Sequence, residues 1–191
     1  MPNTASNVSV GKPAIGGAVY NAPLGTELPA NATTELAAGF VSLGYVSDDG
    51  FRNTNTPSMD ELKAWGGDTV AVLQNEKTDE FQLKLIESQN IDVLKAVYGA
   101  TNVTGTLSGG ITVRANAEEV PASSWVVDMI MTNGVLKRVV IPNAKISDIG
   151  EIVYKDDEAI GYDITLKAMP GPESFGYDTH KEFIQTAPAE G

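Results

Sequence analysis

The chain has 191 residues, of which 42% are apolar and 20% charged, enough to build one sizeable core with extended arms. Its 13 basic residues stand against 25 acidic ones for a net charge of −12, and only Lys137 and Arg138 are adjacent, so no basic patch exists that could neutralise nucleic-acid phosphates. Cysteine is absent and there is one histidine, which excludes a disulfide framework, a thiolate metal site and a histidine-rich zinc site.

The first residues, 1–13, are small and polar with Pro2 and Pro13, and read as an arm; no basic start followed by an apolar run marks a signal peptide. No apolar stretch approaches the ~20 residues that cross a bilayer. AIGGAVY reads as a first strand in which Gly16 and Gly17 permit a bend or bulge. The turn-rich NAPLGTELPANATTEL follows, then GFVSLGYVS, whose alternation marks a strand. Asp48-Asp49-Gly50 supplies a turn, since Gly and Asp tolerate positive φ.

Residues 48–67 then read as one long loop carrying Phe51, Arg52, Pro57, Met59, Leu62 and Trp65. Pro57 removes a ladder donor, so this run is no uninterrupted central strand. Polar excursions of this length tend to be functional. Trp65, ahead of Gly66-Gly67, either fills the edge of the core or anchors the excursion on this subunit or a neighbour.

TVAVLQ is a short strand. EFQLKLIES is the clearest one, with Phe81, Leu83 and Leu85 on one face and Glu80, Gln82 and Lys84 on the other. A helix is predicted at about 90–98: Asn90 caps it, Asp92 sits in its first turn, and Ile91, Leu94, Val97 and Tyr98 form its apolar stripe. β-patterning then resumes. Asn133-Gly134 is a strong hairpin signal, and the runs flanking Lys155-Asp156-Asp157-Glu158 predict a second hairpin. From Pro170 periodicity is lost. Residues 170–191 read as a C-terminal arm whose Phe175, Tyr177 and Phe183 dock elsewhere, ordered only by neighbours.

No catalytic, cofactor or metal site emerges. His180 lies in the arm, where an imidazole is not held in register for a catalytic triad, and reads as a solvated or interface histidine. The adjacent Asp48-Asp49 and the Asp156–Glu158 cluster lack the spacing of a calcium loop and read as solvated turn residues. The expected fold is mainly β: a sandwich of two antiparallel sheets over residues 14–169, with one flanking helix and extended arms.

Three blocks in order, NAPLGTELP, LGYVSDDG and LKAWGGDTVAVLQNEKTDEFQLKLIESQNIDVLKAVYG, resemble the major tail tube protein of long-tailed, siphovirus-type bacteriophages. The resemblance spans most of the chain and weakens over the first dozen residues and beyond Pro170. It implies a structural virion protein without cofactors, made in the host cytoplasm, whose hexameric rings stack into a tube with inner sheets joined into a barrel. Implied partners are further copies of the chain and the tape measure, tail terminator and distal tail or baseplate proteins. Genomic DNA would pass through the lumen without tight binding, and this chain would insert in no membrane.

In that setting Asp48 to Trp65 becomes an inter-subunit element. The rival readings are a tail terminator or capsid-decorating protein, a lectin-like or adhesin module using Trp65, Trp125 and tyrosines as ligand platforms, and a β-sandwich hydrolase with a carboxylate pair.

Overall fold

The structure, a computed structural model, describes residues 3–14 and 17–187. Of the first predicted strand, Ile15 and Gly16 lie outside the described residues. The elements in chain order are β1 (Gly11–Pro13), β2 (Val19–Pro23), β3 (Val41–Ser42), β4 (Val46–Lys63), β5 (Thr69–Leu85), α1 (Ile91–Tyr98), β6 (Val103–Thr106), β7 (Gly110–Val113), β8 (Ser123–Met131), β9 (Val135–Ile149), β10 (Tyr162–Ala168) and β11 (Lys181–Thr186). The fold is thus mainly β with one α-helix.

Two sheets of unequal size replace the expected facing pair. The large one has nine antiparallel strands in the order β3-β2-β8-β9-β10-β5-β4, with β1 added on β8 and β11 on β9; β6 and β7 make the small one. The ends of that order, β3 and β4, are consecutive in the chain and separated only by Leu43–Tyr45. Leu43 N donates to Val19 O of β2 at 2.9 Å, and Ile86 N donates to Tyr45 O at 3.1 Å. One run of chain therefore links the two edges of the sheet, although β3 and β4 do not pair with each other and β4 remains an edge strand.

The core follows the period-two pattern. Phe81, Leu83 and Leu85 of β5 are buried with Ile164 and Leu166 of β10, Trp125 and Val127 of β8, and Val139 and Ile141 of β9. Helix α1 covers this cluster with buried Val93, Leu94 and Val97, while Ile91 and Tyr98 pack at its margin. Asn90 caps the helix as expected, its side chain accepting from Asp92 N at 3.0 Å. Trp125, one of the residues offered as a ligand platform, is wholly interior.

A second, smaller apolar cluster lies around Val126, Val140 and Phe175, with Leu28, Leu36, Phe40 and Phe183 against it. Asp128 and Arg138, opposite each other on β8 and β9, form a two-point ion pair there, with Nε at 2.6 Å and Nη2 at 2.8 Å from the carboxylate. Arg138 Nη1 also donates to the carbonyls of Asn31 and Thr34, at 3.1 and 2.6 Å. The guanidinium is thereby satisfied and pins the strand-poor segment between β2 and β3 onto the sheet.

The Asn133-Gly134 hairpin forms between β8 and β9, with Asn133 at φ 65 and Gly134 at φ 73. The second hairpin, β9 to β10, forms through residues 150–161, and Lys84 reaches Glu158 at 2.9 Å across its exposed connection.

The C-terminal segment departs from the expectation that neighbours alone order it. β11 pairs with β9 from Lys181 opposite Val140 to Thr186 opposite Val135, and Phe175 is buried with Lys181 Nζ 4.2 Å above its ring. Phe183 is half-buried and only Tyr177 of the three aromatics is exposed. The segment lacks periodicity because a single strand and an aromatic plug hold it. At the other terminus residues 3–5 and 7–10 are exposed, and β1 ties the last residues of the expected arm to β8.

Candidate functional site: a projecting β-ribbon

The long loop expected at 48–67 is a β-hairpin. β4 and β5 pair from Val46 opposite Leu85 to Lys63 opposite Thr69, and the turn lies at 64–68, closed by Ala64 N donating to Asp68 O and Gly67 N to Ala64 O, at 2.8 and 3.0 Å. TVAVLQ and EFQLKLIES are therefore one strand. Pro57 is tolerated because β4 is the last strand in the sheet order, and the ladder slips one residue later, between Ser58 and Met59.

Asp48-Asp49-Gly50 makes no hairpin turn. Val46 faces Leu85 and Phe51 faces Leu83, so the residues between them form a bulge on β4, with Gly50 at φ 76. Ser47 Oγ binds both the Asp49 carboxylate and the Asp49 amide, and Arg52 stands 3.6 Å from Asp49. These aspartates shape the bulge.

The hairpin has two parts. Its root is packed: Phe51 stacks on Phe81 with centroids 5.3 Å apart, and β5 also pairs with β10 from Leu85 to Glu80. Phe51, grouped above with the inter-subunit loop, thus packs on the subunit's own core. Beyond Thr54 and Glu80 the ribbon has no third strand. Over residues 54–77 every side chain is exposed except half-buried Ala71. At about 3.3 Å per residue the ribbon stands roughly 30 Å off the body.

Its chemistry is mixed on both sides. Between the two irregularities, Met59 faces Gln74, Asp60 faces Leu73, Glu61 faces Val72 and Leu62 faces Ala71. Successive pairs point to opposite faces. One face carries Met59, Val72 and Glu61; the other carries Leu62, Leu73 and Asp60. Met59, Leu62, Val72 and Leu73 are each more than half exposed, and Trp65 at the tip is fully exposed rather than set in the core. A two-stranded ribbon with apolar side chains on both faces is marginal alone in water.

At the root lies a polar cluster absent from the sequence reading. Asp79 of β5 is buried. Its carboxylate accepts from Asn53 Nδ2 at 2.8 Å and from Thr179 Oγ1 at 2.6 Å, and His180 Nδ1 lies 2.5 Å away. Burial opposes ionisation of Asp79, but the hydrogen bonds from Thr179, Asn53 and His180 together outweigh it and hold the carboxyl below its ordinary value. His180 also meets Phe81 edge-on at 5.2 Å. It is therefore a packed, hydrogen-bonded residue and not a solvated one. The signal for Asp79 was available: one further step of two from Phe81, Leu83 and Leu85 lands on it.

A family model described as phage tail tube protein matches residues 2–180. The chain belongs to the phage tail tube protein family. The match covers the whole ribbon and the residues around Asp79 and ends just before β11. A search of curated proteins found no match. Membership makes the chain a structural protein of the virion tail, built into a multi-subunit assembly. A structural family argues against an enzyme. Among the described residues no group of three or more His, Cys, Asp or Glu is placed to hold a metal ion, and no helix is long and apolar enough to cross a membrane.

Proposed function

We propose that this chain forms hexameric rings that stack into the tube of a siphovirus-type tail, the conduit for genome ejection, and that the β4–β5 ribbon joins subunits. The observation that carries this reading is the ribbon's outer part, paired over some ten residues a side yet exposed on both apolar-bearing faces. Asp48, Asp49, Gly50 and Arg52 bend β4 at the ribbon's base; Met59, Leu62 and Trp65 meet the neighbours, and Pro57 keeps the outer edge from extending the sheet. Head-to-tail contacts of this kind are heterologous and grow into filaments. Ring edges and tube ends receive the tape measure, terminator and distal tail proteins. Tyr177, exposed on the C-terminal segment, is a further contact between copies.

The net charge of −12 suits a conduit. Duplex DNA carries about one negative charge per 1.7 Å of axis, so a basic lumen would hold it while an acidic one lets it slide.

The test removes both strands of the ribbon together. Deleting 52–63 alone would leave β5 without its partner, so residues 57–77 are replaced by an Asn-Gly turn that joins Thr56 to its partner Thr78. The variant is expected to melt like the wild type and to form no tubes in the electron microscope. Normal tubes from this variant would remove the ribbon's role.

A further inference from the structure

The Asp79 cluster joins parts of the chain that are far apart in sequence. Asn53 comes from β4, Asp79 from β5, and Thr179 and His180 from the C-terminal segment, about a hundred positions on. The cluster sits where the packed root gives way to the exposed ribbon. His180 immediately precedes β11, so the contact continues directly into the pairing of Lys181 with Val140. Of the groups facing the Asp79 carboxylate, Asn53 and Thr179 are neutral, His180 is titratable, and the nearest ring on β5 is Phe81.

We propose that this cluster is an assembly clasp: the C-terminal segment folds back onto Asp79 and thereby fixes the ribbon in the orientation that a second copy of the chain receives. The physical ground is mutual dependence. A buried carboxylate stripped of its donors is costly, so Asp79 is stable in place only while Thr179 and His180 cover it. Lifting β11 exposes Asp79 and removes the edge-on contact on Phe81. Beyond the root the ribbon has nothing but its own two strands, so disorder at the root is carried along its whole length to the tip. Docking of the C-terminus and presentation of the ribbon are then one event. The inference rests on the ribbon being the inter-subunit element.

The test uses full-length subunits carrying Thr179→Val with His180→Phe, which removes both hydrogen bonds while keeping volume and an aromatic ring. In free subunits, amide exchange is expected to rise by about tenfold or more at β11 and at residues 53–54 and 79–80 together. Tube formation is expected to slow, and Thr179→Ser restores both readouts. Loss of protection at β11 with an unchanged root, no change at either, or wild-type tube formation despite a deprotected root would each overturn the clasp. If the double variant does not fold, Thr179→Val alone carries the same reading. The exchange measurement involves no tubes, so it judges the clasp separately from the 57–77 replacement, which judges the ribbon.

Discussion

The inner and outer parts of one hairpin differ in everything except their pairing. At the root, β4 and β5 continue a nine-stranded sheet, Phe51 stacks on Phe81, and Leu83 and Leu85 are sealed in the core. Past Asn55 and Asp79 the same two strands stay paired antiparallel through two irregularities, and among the described residues they have no third strand and no apolar cover. Backbone pairing alone therefore does not tell a structural strand from an assembly element. What divides them is whether apolar side chains find partners inside the subunit. The root contributes to the stability of one chain; on the proposed reading the ribbon's apolar side chains contribute once another chain covers them.

The sharpest way to break this contrast is at the root. Phe81 is almost completely buried, and its ring touches both Phe51 and His180. Phe81→Ala is expected to destabilise the free subunit by about 3–5 kcal/mol, through lost burial and the cavity left behind. Chemical denaturation of free subunits measures it. A loss below about 1 kcal/mol, the scale of an ordinary substitution, would place Phe81 with the ribbon rather than with the core.

A middle effect comes from Asp79, at the border between the two parts. Its carboxyl titrates below its unfolded value in the folded chain, because donors from Thr179, Asn53 and His180 outweigh burial. A depressed carboxylate stabilises the fold fully above the unfolded pKa, and this contribution is lost as pH falls through the folded pKa. The window therefore lies at and below the ordinary carboxylate range, and neutral pH lies above it. Asp79→Asn is expected to lower the melting temperature at neutral pH and to flatten its fall on acidification. Parallel melting curves for variant and wild type across that acid range would show that the cluster does not hold Asp79 ionised.

How much of this was legible in the sequence follows the same division. The helix from Ile91 to Tyr98, the Asn133-Gly134 hairpin and the alternation through Phe81, Leu83 and Leu85 all lie on or beside the core, where burial writes a period into the residues. The ribbon reads as a loop in the sequence because neither of its faces is buried in the subunit. Both faces therefore mix polar and apolar residues, as in Met59-Asp60-Glu61-Leu62, and no period survives. Pro57 reinforces that reading, although an edge strand tolerates it. The Asp79 cluster was hidden differently. Its partners Thr179 and His180 lie in a segment without periodicity, and only the fold brings them to β5. The link between the two sheet edges through Leu43–Tyr45 was also invisible, since pattern alone does not say which strands are neighbours.

The smallest expected effect lies on the ribbon itself, and it completes the contrast. Val72 and Leu73 sit on opposite faces, opposite Glu61 and Asp60, and each is more than half exposed. Val72→Thr keeps β-branching and changes one methyl to a hydroxyl, so strand preference is retained while apolar surface is lost. In the free subunit neither Val72→Thr nor Leu73→Thr removes a core contact, so each is expected to shift stability by no more than about 0.5 kcal/mol. If, as proposed, neighbours cover the same side chains in tubes, a buried hydroxyl without a partner is costly there. The free subunits are expected to melt together with the wild type, whereas tubes of either variant dissociate at lower denaturant. Equal behaviour of variant and wild-type tubes would leave that face of the ribbon uncovered in the assembly. Because the two residues point opposite ways, measuring them separately tells whether neighbours cover one face of the ribbon or both.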